Sequence, residues 1–213
     1  MNKIKAIIFD LDGVLVDATE WHYLALNKAL GLFGYSITRD EHEKAYNGLP
    51  TRKKLELLTE QKNLPGALHE FINAMKQKYT LELIQNKCVP DFQKMFLLKK
   101  LKDKGYRVAV ASNAIHTSIE IMLKKARLWE FCDEILSNQD VKNPKPDPEI
   151  YLKAFEKLQL KPQECIVVED AEPGIKAARA SGAWCLEVSG YGVVCYDLVS
   201  NFIAKVEGGS SLC

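Results

Sequence analysis

The sequence lacks the signatures of several large classes of protein. Its six cysteines include no C-x-x-C pair, so no zinc site is expected. Its longer apolar runs, such as residues 6–9 and 95–98, fall far short of the roughly 20 residues that a membrane helix needs. Its formal net charge of +1 gives no reason to expect binding to nucleic acid or to an anionic membrane.

The first residues also lack the pattern of a secretory signal. Met1-Asn2-Lys3 leads directly into a short apolar segment rather than a long one. Several cysteines lie inside apolar stretches, as in Cys165-Ile166-Val167-Val168, which is typical of reduced and buried thiols. We therefore expect a cytoplasmic protein. We also expect a monomer that binds a small molecule rather than nucleic acid or a membrane.

What is present indicates a globular α/β fold. Hydrophobic residues make up 47% and charged residues 27%, which excludes a disordered chain, a collagen and a coiled coil. Short apolar segments alternate with helical patterns, and near-continuous apolar strands are typical of sheets covered on both faces. The predicted strands are residues 4–9, 107–111, 134–137, 165–168 and 184–188. The pattern predicts a doubly wound parallel sheet with helices at about 92–104, 115–123, 148–158 and 173–181.

One long stretch breaks this alternation because it shows helical patterns and no convincing strand. Helices are predicted to begin near Thr19 and near Thr51, and a longer one follows Pro65 with an apolar stripe. We therefore expect an α-helical domain of residues 17–87 inserted into a core domain of residues 1–16 and 88–213. Residues 208–213 are expected to form a frayed tail.

Polar side chains follow four of the predicted strands. They are Asp10 and Asp12 after the first strand, Ser112 and Asn113 after the second, Lys145 in the loop after the third, and Glu169 and Asp170 after the fourth. In open α/β sheets, ligands bind beyond the carboxyl ends of the strands. We therefore expect these side chains to meet at one edge of the sheet.

Such an edge would be suited to a cation and a phosphate. Two carboxylates about 4 Å apart repel each other by on the order of 4 kcal/mol at an effective dielectric constant of 20. A hard divalent cation with oxygen ligands neutralises them, and Lys145 is the other available positive charge. The hydroxyl of Ser112 and the amides of residues 112–114, in a turn at a helix start, would then bind phosphate. Each feature also has a plainer interpretation, namely a solvated turn, a helix cap or a helix start, so the joint arrangement carries the prediction.

Other phosphate-handling motifs are missing. There is no G-x-x-x-x-G-K-[ST] loop, and Gly190-Tyr191-Gly192 lacks the third glycine of a dinucleotide motif. No cysteine is followed six residues later by an arginine, which excludes a cysteine-dependent phosphatase loop. The remaining nucleophile is a carboxylate, which is able to form an aspartyl-phosphate.

These residues resemble the motifs of the haloacid dehalogenase superfamily of aspartate-nucleophile phosphotransferases. Phe9-Asp10-Leu11-Asp12-Gly13-Val14-Leu15 matches the D-x-D-G motif of that family. Ser112-Asn113, Lys145 and Glu169-Asp170 are similar to its second, third and fourth motifs and occur in the same order. The helical insertion resembles the cap of the phosphoglycolate phosphatase and β-phosphoglucomutase branch.

The resemblance implies a role for each acidic residue. Asp10 is the nucleophile that attacks phosphorus, and Asp12 is the general acid and then the general base. Mg²⁺ is held by Asp10, the backbone carbonyl of Asp12 and Asp170, with Glu169 acting directly or through water. Dehalogenases of the superfamily lack the second aspartate of the first motif, so Asp12 favours phosphate chemistry.

The resemblance also implies the groups that bind substrate. Ser112, Asn113 and Lys145 would bind the phosphoryl oxygens. In the cap, His22 and Arg52 are similar to residues of the mutase branch, in which a cap arginine binds a second phosphate. A solvated arginine at a helix start is the simpler interpretation of Arg52.

Several functions fit this pattern. We expect a Mg²⁺-dependent phosphatase for a small phosphorylated metabolite, for example a sugar phosphate. The nearest alternative is a β-phosphoglucomutase-like enzyme, although Asn after Ser112 is more common among hydrolases than among mutases. A non-catalytic phosphate-binding protein or a receiver-like signalling protein is a remote alternative. Lys76 and Lys78 could assist substrate binding, but they are expected to be surface lysines.

Overall fold

The computed structural model describes residues 3–208, which divide into two compact units. The core unit runs to Asp17 and resumes at Val89, and the helical unit is Ala18–Cys88. The tail predicted for residues 208–213 lies, from residue 209 onward, outside the described residues. No helix in the described part of the chain is long and apolar enough to cross a membrane.

The core unit contains a five-stranded sheet in which every paired strand is parallel. The strands are β1 (Ala6–Phe9), β2 (Arg107–Ala111), β3 (Glu134–Leu136), β4 (Cys165–Glu169) and β5 (Trp184–Glu187). Their order in the sheet is β3-β2-β1-β4-β5, so β1 is the central strand. The predicted parallel α/β fold is therefore confirmed.

Nine α-helices are assigned among the described residues. They are α1 (Thr19–Gly31), α2 (Arg39–Glu41), α3 (Thr51–Lys62), α4 (His69–Lys87), α5 (Phe92–Asp103), α6 (His116–Lys125), α7 (Glu149–Leu158), α8 (Glu172–Ala180) and α9 (Tyr196–Glu207). The sequence analysis predicted neither α9 nor the segment formed by α2 and the π-helical turn His42–Tyr46 that follows it. Helix α9 nevertheless has apolar residues at helical spacing, with Val199 and Ile203 on its buried face, whereas α2 is only three residues long.

The register of the central strand positions the candidate site. All four residues of β1 are buried, and Phe9 pairs with Val110 of β2 on one side and with Val168 of β4 on the other. The backbone N–H of Asp10 continues this ladder by donating to the carbonyl oxygen of Val168 at 3.0 Å. Asp10 therefore emerges between the ends of β2 and β4.

Helix α7 covers one face of the sheet. It packs against β2 and β3, and its buried residues Tyr151, Ala154 and Phe155 join a cluster with strand residues such as Ala109 and Val167. Burying an aromatic or branched apolar side chain contributes about 1.5–3 kcal/mol, so this packing fixes the helix on the sheet. The position of Tyr151 is thereby set by the core.

The helical unit packs mainly through α1 and α4, as its apolar periodicity predicts. Its core includes Leu26, Leu30 and Ile72. The buried face of α4 differs from the predicted apolar stripe because it contains two polar residues, Lys76 and Thr80. Lys76 is only 6% exposed, so the expectation that it is a surface lysine is wrong.

Candidate active site

The end of β1 presents Asp10 and then turns sharply. Asp10 is buried, with 8% of its surface exposed. Gly13 adopts a φ of +86°, a left-handed conformation that favours glycine over residues with a Cβ. This turn is closed by a hydrogen bond from the N–H of Gly13 to the carbonyl oxygen of Val16 at 2.8 Å. The turn keeps Asp12 close to Asp10. Burial raises the pKa of Asp10, and the charge of Asp12 adds to this shift.

Lys145 joins the ends of three strands. Its side chain is 3% exposed, and its Nζ lies 2.7 Å from Oδ1 of Asp10 and 2.5 Å from Oε1 of Glu169. It also donates to the carbonyl oxygen of Ala111 at 2.7 Å. An ammonium group has three donor hydrogens, so these acceptors account for all of them. Lys145 is therefore held rigidly at the centre of the site.

Burial and charge act in opposite directions on this pair. Burial lowers the pKa of Lys145, but the nearby charges of Asp10 and Glu169 outweigh it and raise that pKa. Burial also raises the pKa of Asp10 well above its usual value, although the Lys145 charge lowers it and the Glu169 charge raises it again. Lys145 therefore stays charged, and its charge favours the ionised form of Asp10 against the larger effect of burial.

Ser112 and Asn113 shape the loop after β2. The N–H of Ala114 donates to Oγ of Ser112 at 3.0 Å, so the hydroxyl oxygen closes the turn. The carboxamide of Asn113 accepts from the N–H of Lys145 at 3.1 Å and donates to its carbonyl oxygen at 3.2 Å. Asn113 thus ties the Lys145 loop to the end of β2. Helix α6 begins at His116 with Ile115 as its N-cap residue, so this turn leads directly into the start of the helix.

Glu169 and Asp170 end β4 at the same edge. Glu169 is 1% exposed and its Oε1 accepts from both Lys145 and the hydroxyl of Tyr151. Burial raises the pKa of Asp170 to about 7, and the charges of Glu169 and Asp12 add to this shift. A cation placed beside Asp170 would therefore stabilise its ionised form.

Tyr151 and Gly174 belong to this site but were not predicted from the sequence. The buried hydroxyl of Tyr151 donates to Glu169, and burial followed by the Glu169 charge raises the pKa of Tyr151, so it remains a donor. A Cβ at Gly174 would lie 2.0 Å from Oε1 of Glu169, which no side chain tolerates. The glycine two positions into helix α8 is a visible signal for such a close approach, whereas Tyr151 looks like an ordinary core residue.

The acidic residues fit a hard divalent cation. Carboxylate oxygens of Asp10, Glu169 and Asp170 lie within 4.8 Å of one another. Oδ1 of Asp170 is buried and has no hydrogen-bond partner among residues 3–208. Burying a carboxylate oxygen without a hydrogen-bond partner costs free energy. Lys145 donates to only one oxygen of Asp10 and one of Glu169. Oxygen ligands of this kind are those that Mg²⁺ prefers.

The predicted substrate residues of the helical unit lie in different surroundings. The side chain of Arg52 is 88% exposed and pairs with Glu56 at 3.2 Å. His22 has its Nδ1 3.2 Å from Nζ of Lys76. Lys54 and His42 are buried nearby, and burial followed by the Lys54 charge lowers the pKa of His42 to about 3. The helical unit therefore contains a basic cluster made of the half-buried His22 and the buried His42, Lys54 and Lys76, which the sequence analysis did not predict as a group.

The fold and this site together define an α/β enzyme that handles phosphoryl groups. Comparison with known proteins agrees, because the model of the haloacid dehalogenase-like hydrolase family matches residues 7–188. The chain belongs to the haloacid dehalogenase-like hydrolase family. The match spans all the strands except the first residue of β1 and extends past β5.

Relatives that carry a functional name match most of the chain. A phosphorylated carbohydrates phosphatase of Thermotoga maritima is 30% identical over 84% of this chain and 82% of its own length. A β-phosphoglucomutase of Bacillus subtilis is 30% identical over 87% of this chain and 83% of its own length. The crystal structure of a β-phosphoglucomutase from Clostridium difficile has a TM-score of 0.82 and 25% identity, covering 96% of this chain and 99% of that one.

These comparisons confirm the predicted family, the fold class and the enzyme class of phosphoric monoester hydrolases. The chain acts on phosphorylated substrates, as a phosphatase or as a phosphoglucomutase-like enzyme. The remote alternatives of a receiver-like or non-catalytic protein are accordingly set aside.

Proposed function

We propose that the protein is a Mg²⁺-dependent phosphatase that hydrolyses a small phosphorylated metabolite through an aspartyl-phosphate on Asp10. The observation that carries this proposal is the geometry around Asp10. Its Oδ1 is bound by Lys145 at 2.7 Å, which leaves Oδ2 as the oxygen available for attack. A carboxylate oriented in this way is a suitable nucleophile for phosphoryl transfer.

The first half of the reaction transfers the phosphoryl group to the protein. Oδ2 of Asp10 attacks phosphorus, a new P–O bond forms, and the bond to the ester oxygen of the substrate breaks. The protonated carboxyl group of Asp12 donates its proton to that leaving oxygen. Asp12 follows Asp10 by two residues on the turn at Gly13, so both belong to the same strand end.

The second half of the reaction restores the protein. Asp12, now a carboxylate, accepts a proton from a water molecule whose oxygen attacks the phosphorus of the aspartyl-phosphate. The P–O bond to Asp10 breaks, inorganic phosphate leaves, and Asp10 becomes a carboxylate again. Each residue therefore ends in its starting protonation state.

The phosphoryl oxygens would be bound by the hydroxyl of Ser112 and by Lys145, which would exchange one of its three present acceptors for the substrate. Asn113 would contribute by holding the backbone of Lys145 at both its N–H and its carbonyl. This preorganisation reduces the cost of aligning the charges when substrate arrives.

The cation would be held by Asp10, Asp170, the backbone carbonyl of Asp12 and Glu169. When bound, Mg²⁺ would supply the positive charge that offsets both these carboxylates and the phosphoryl oxygens. Support comes from the close carboxylate oxygens and from the buried Oδ1 of Asp170.

The helical unit would select the substrate, with His22 and Arg52 as the residues to test. The exposed side chain of Arg52 is free to reorient if it releases Glu56, whereas His22 is fixed beside Lys76. If both bind substrate, His22→Ala and Arg52→Ala raise KM about tenfold or more while kcat changes less. Lys53→Ala is the matched control, because Lys53 is also exposed in the first turn of α3 and also pairs with Glu56. This variant should leave KM unchanged.

A β-phosphoglucomutase-like activity is the second candidate, and the similarity to enzymes of that name favours it. The decisive experiment incubates the protein with a hexose 1-phosphate and measures both free phosphate and the hexose 6-phosphate. Free phosphate without the 6-phosphate supports the phosphatase, whereas the 6-phosphate without free phosphate overturns it. A panel of phosphorylated metabolites, assayed with and without Mg²⁺, would then identify the substrate class.

Two further expectations stay predictions. The protein is proposed to act as a monomer, which sedimentation equilibrium would test. Its cytoplasmic location would be tested by fractionating cells that express it.

A further inference from the structure

One oxygen of Glu169 has two donors that come from different parts of the fold. Its Oε1 accepts from Nζ of Lys145 at 2.5 Å and from the hydroxyl of Tyr151 on helix α7. Nζ of Lys145 also lies 4.9 Å from the centre of the Tyr151 ring. The tyrosine therefore contacts both members of the Lys145–Glu169 ion pair.

Helix α8 also confines this carboxylate. A Cβ at Gly174 would lie 2.0 Å from Oε1 and 2.3 Å from Oε2 of Glu169, so the backbone of the helix approaches the group closely. With Tyr151 and Lys145 bound to one oxygen and Gly174 next to the group, Glu169 has little room to rotate.

A phenol is a suitable donor at this position because it carries no charge. A second lysine or an arginine would add positive charge beside Asp10 and Asp170 and would compete with a cation. The Tyr151 hydroxyl satisfies a buried carboxylate oxygen and leaves the negative charge of the cluster unchanged. Its ring is fully buried in the cluster that covers the sheet, so the hydroxyl is held by the core.

We propose that Tyr151 is a positioning residue: its hydroxyl fixes Glu169, and through Glu169 it orients Lys145 against Asp10 and keeps Glu169 in place for the cation. This inference rests on the proposed function, because the position of Glu169 matters only if a cation and a phosphoryl group bind there. Removing a group that hydrogen-bonds to a metal ligand without touching the metal commonly lowers metal affinity or activity 10- to 100-fold.

The test is Tyr151→Phe, which removes the hydroxyl and keeps the buried ring. We expect the dissociation constant for Mg²⁺, measured by calorimetry without substrate, to rise about tenfold. We expect kcat to fall by a similar factor and KM for substrate to change by less, because the hydroxyl acts on Lys145 only through Glu169. Tyr151→Leu is measured in parallel. The variant that unfolds cooperatively is the one compared with the wild type in Mg²⁺ binding and kcat.

Tyr46→Phe is the matched control. Tyr46 is also buried, and its hydroxyl donates to Oε1 of Gln61 at 2.8 Å within the helical unit. It should lose a similar amount of stability and leave Mg²⁺ binding and kcat unchanged.

The outcomes distinguish a failure of the role of Tyr151 from a failure of the proposed function. If the wild-type protein binds Mg²⁺ and releases phosphate but Tyr151→Phe matches it in both measurements, the role of Tyr151 is wrong and the proposed function stands. A kcat loss equal to that of Tyr46→Phe also overturns the role, since it would reflect stability alone. If the wild-type protein neither binds Mg²⁺ nor releases phosphate from any substrate, the proposed function fails and the role of Tyr151 fails with it.

Discussion

Nζ of Lys145 lies 2.7 Å from Oδ1 of Asp10, although 135 positions separate the two residues in the chain. The contact is buried and is shared with Glu169. A lysine placed in this way compensates charge that burial would otherwise make costly, and it orients the carboxylate that is proposed to attack phosphorus.

Removing the proposed nucleophile should abolish turnover. Asp10→Asn keeps the shape of the side chain but leaves a poor nucleophile, so we expect phosphate release to fall about a thousandfold or more. Phosphate release is followed under saturating Mg²⁺. Asp103→Asn, which affects an exposed aspartate paired with Lys99, should retain full activity. Normal turnover by Asp10→Asn would overturn the assignment of the nucleophile.

Removing the charge of Lys145 should destabilise the protein. Lys145→Met keeps most of the side-chain volume but leaves Asp10 and Glu169 buried without their cation. Loss of one partner of a buried ion pair typically costs about 3–5 kcal/mol of the free energy of unfolding. Urea denaturation without Mg²⁺ measures this cost. Lys142→Met, at an exposed position in the same loop, is the control, and equal stability of the two variants would contradict the prediction.

A methyl group at Gly174 should displace Glu169. In an unconstrained helix, alanine is more stable than glycine by about 1 kcal/mol. Here we expect the opposite sign, with Gly174→Ala less stable by about 1–3 kcal/mol, because the new Cβ would overlap the Glu169 carboxylate. Thermal unfolding and phosphate release should both decline.

Gly31→Ala is the control for this helix substitution. A Cβ at Gly31 meets no atom within 4 Å in helix α1, so this variant should be as stable as the wild type or slightly more stable. A Gly174→Ala protein that behaves in the same way would show that Glu169 is not confined.

The stability of the metal-free protein should fall as the pH rises from about 4 to above 7. The pKa of Asp170 is about 7 in the folded protein and about 3.8 as its ordinary value, so the folded state binds a proton more tightly. This contribution is fully present below the unfolded pKa and is lost as the pH rises through the folded pKa. Because a cation binds the ionised carboxylate, Mg²⁺ should stabilise the protein more at pH 8 than at pH 5.

Chemical denaturation at several pH values, with and without Mg²⁺, checks this dependence. In Asp170→Asn the pH dependence should become weaker, and the extra stabilisation by Mg²⁺ at pH 8 should disappear. An unchanged pH profile in that variant would assign the effect to another group.

Local sequence was sufficient for most of the fold. Apolar segments ending in Asp10 and Glu169 predicted the strands, and the order of those strands along the chain predicted a shared edge for the polar residues. Helix α9 was missed although its apolar residues recur at helical spacing. The polar positions on the buried face of α4 were missed because Lys76 and Thr80 are expected at the surface when only apolar spacing is considered.

The sequence by itself determined which residues could do chemistry, since their types and their positions after strands are local properties. Only the tertiary structure decided that Tyr151 and Gly174 belong with them. The reason is that a hydroxyl on helix α7 and a missing Cβ on helix α8 acquire a role only where they meet the carboxylate of Glu169. Contacts between distant segments depend on packing and register, which no short stretch of sequence records.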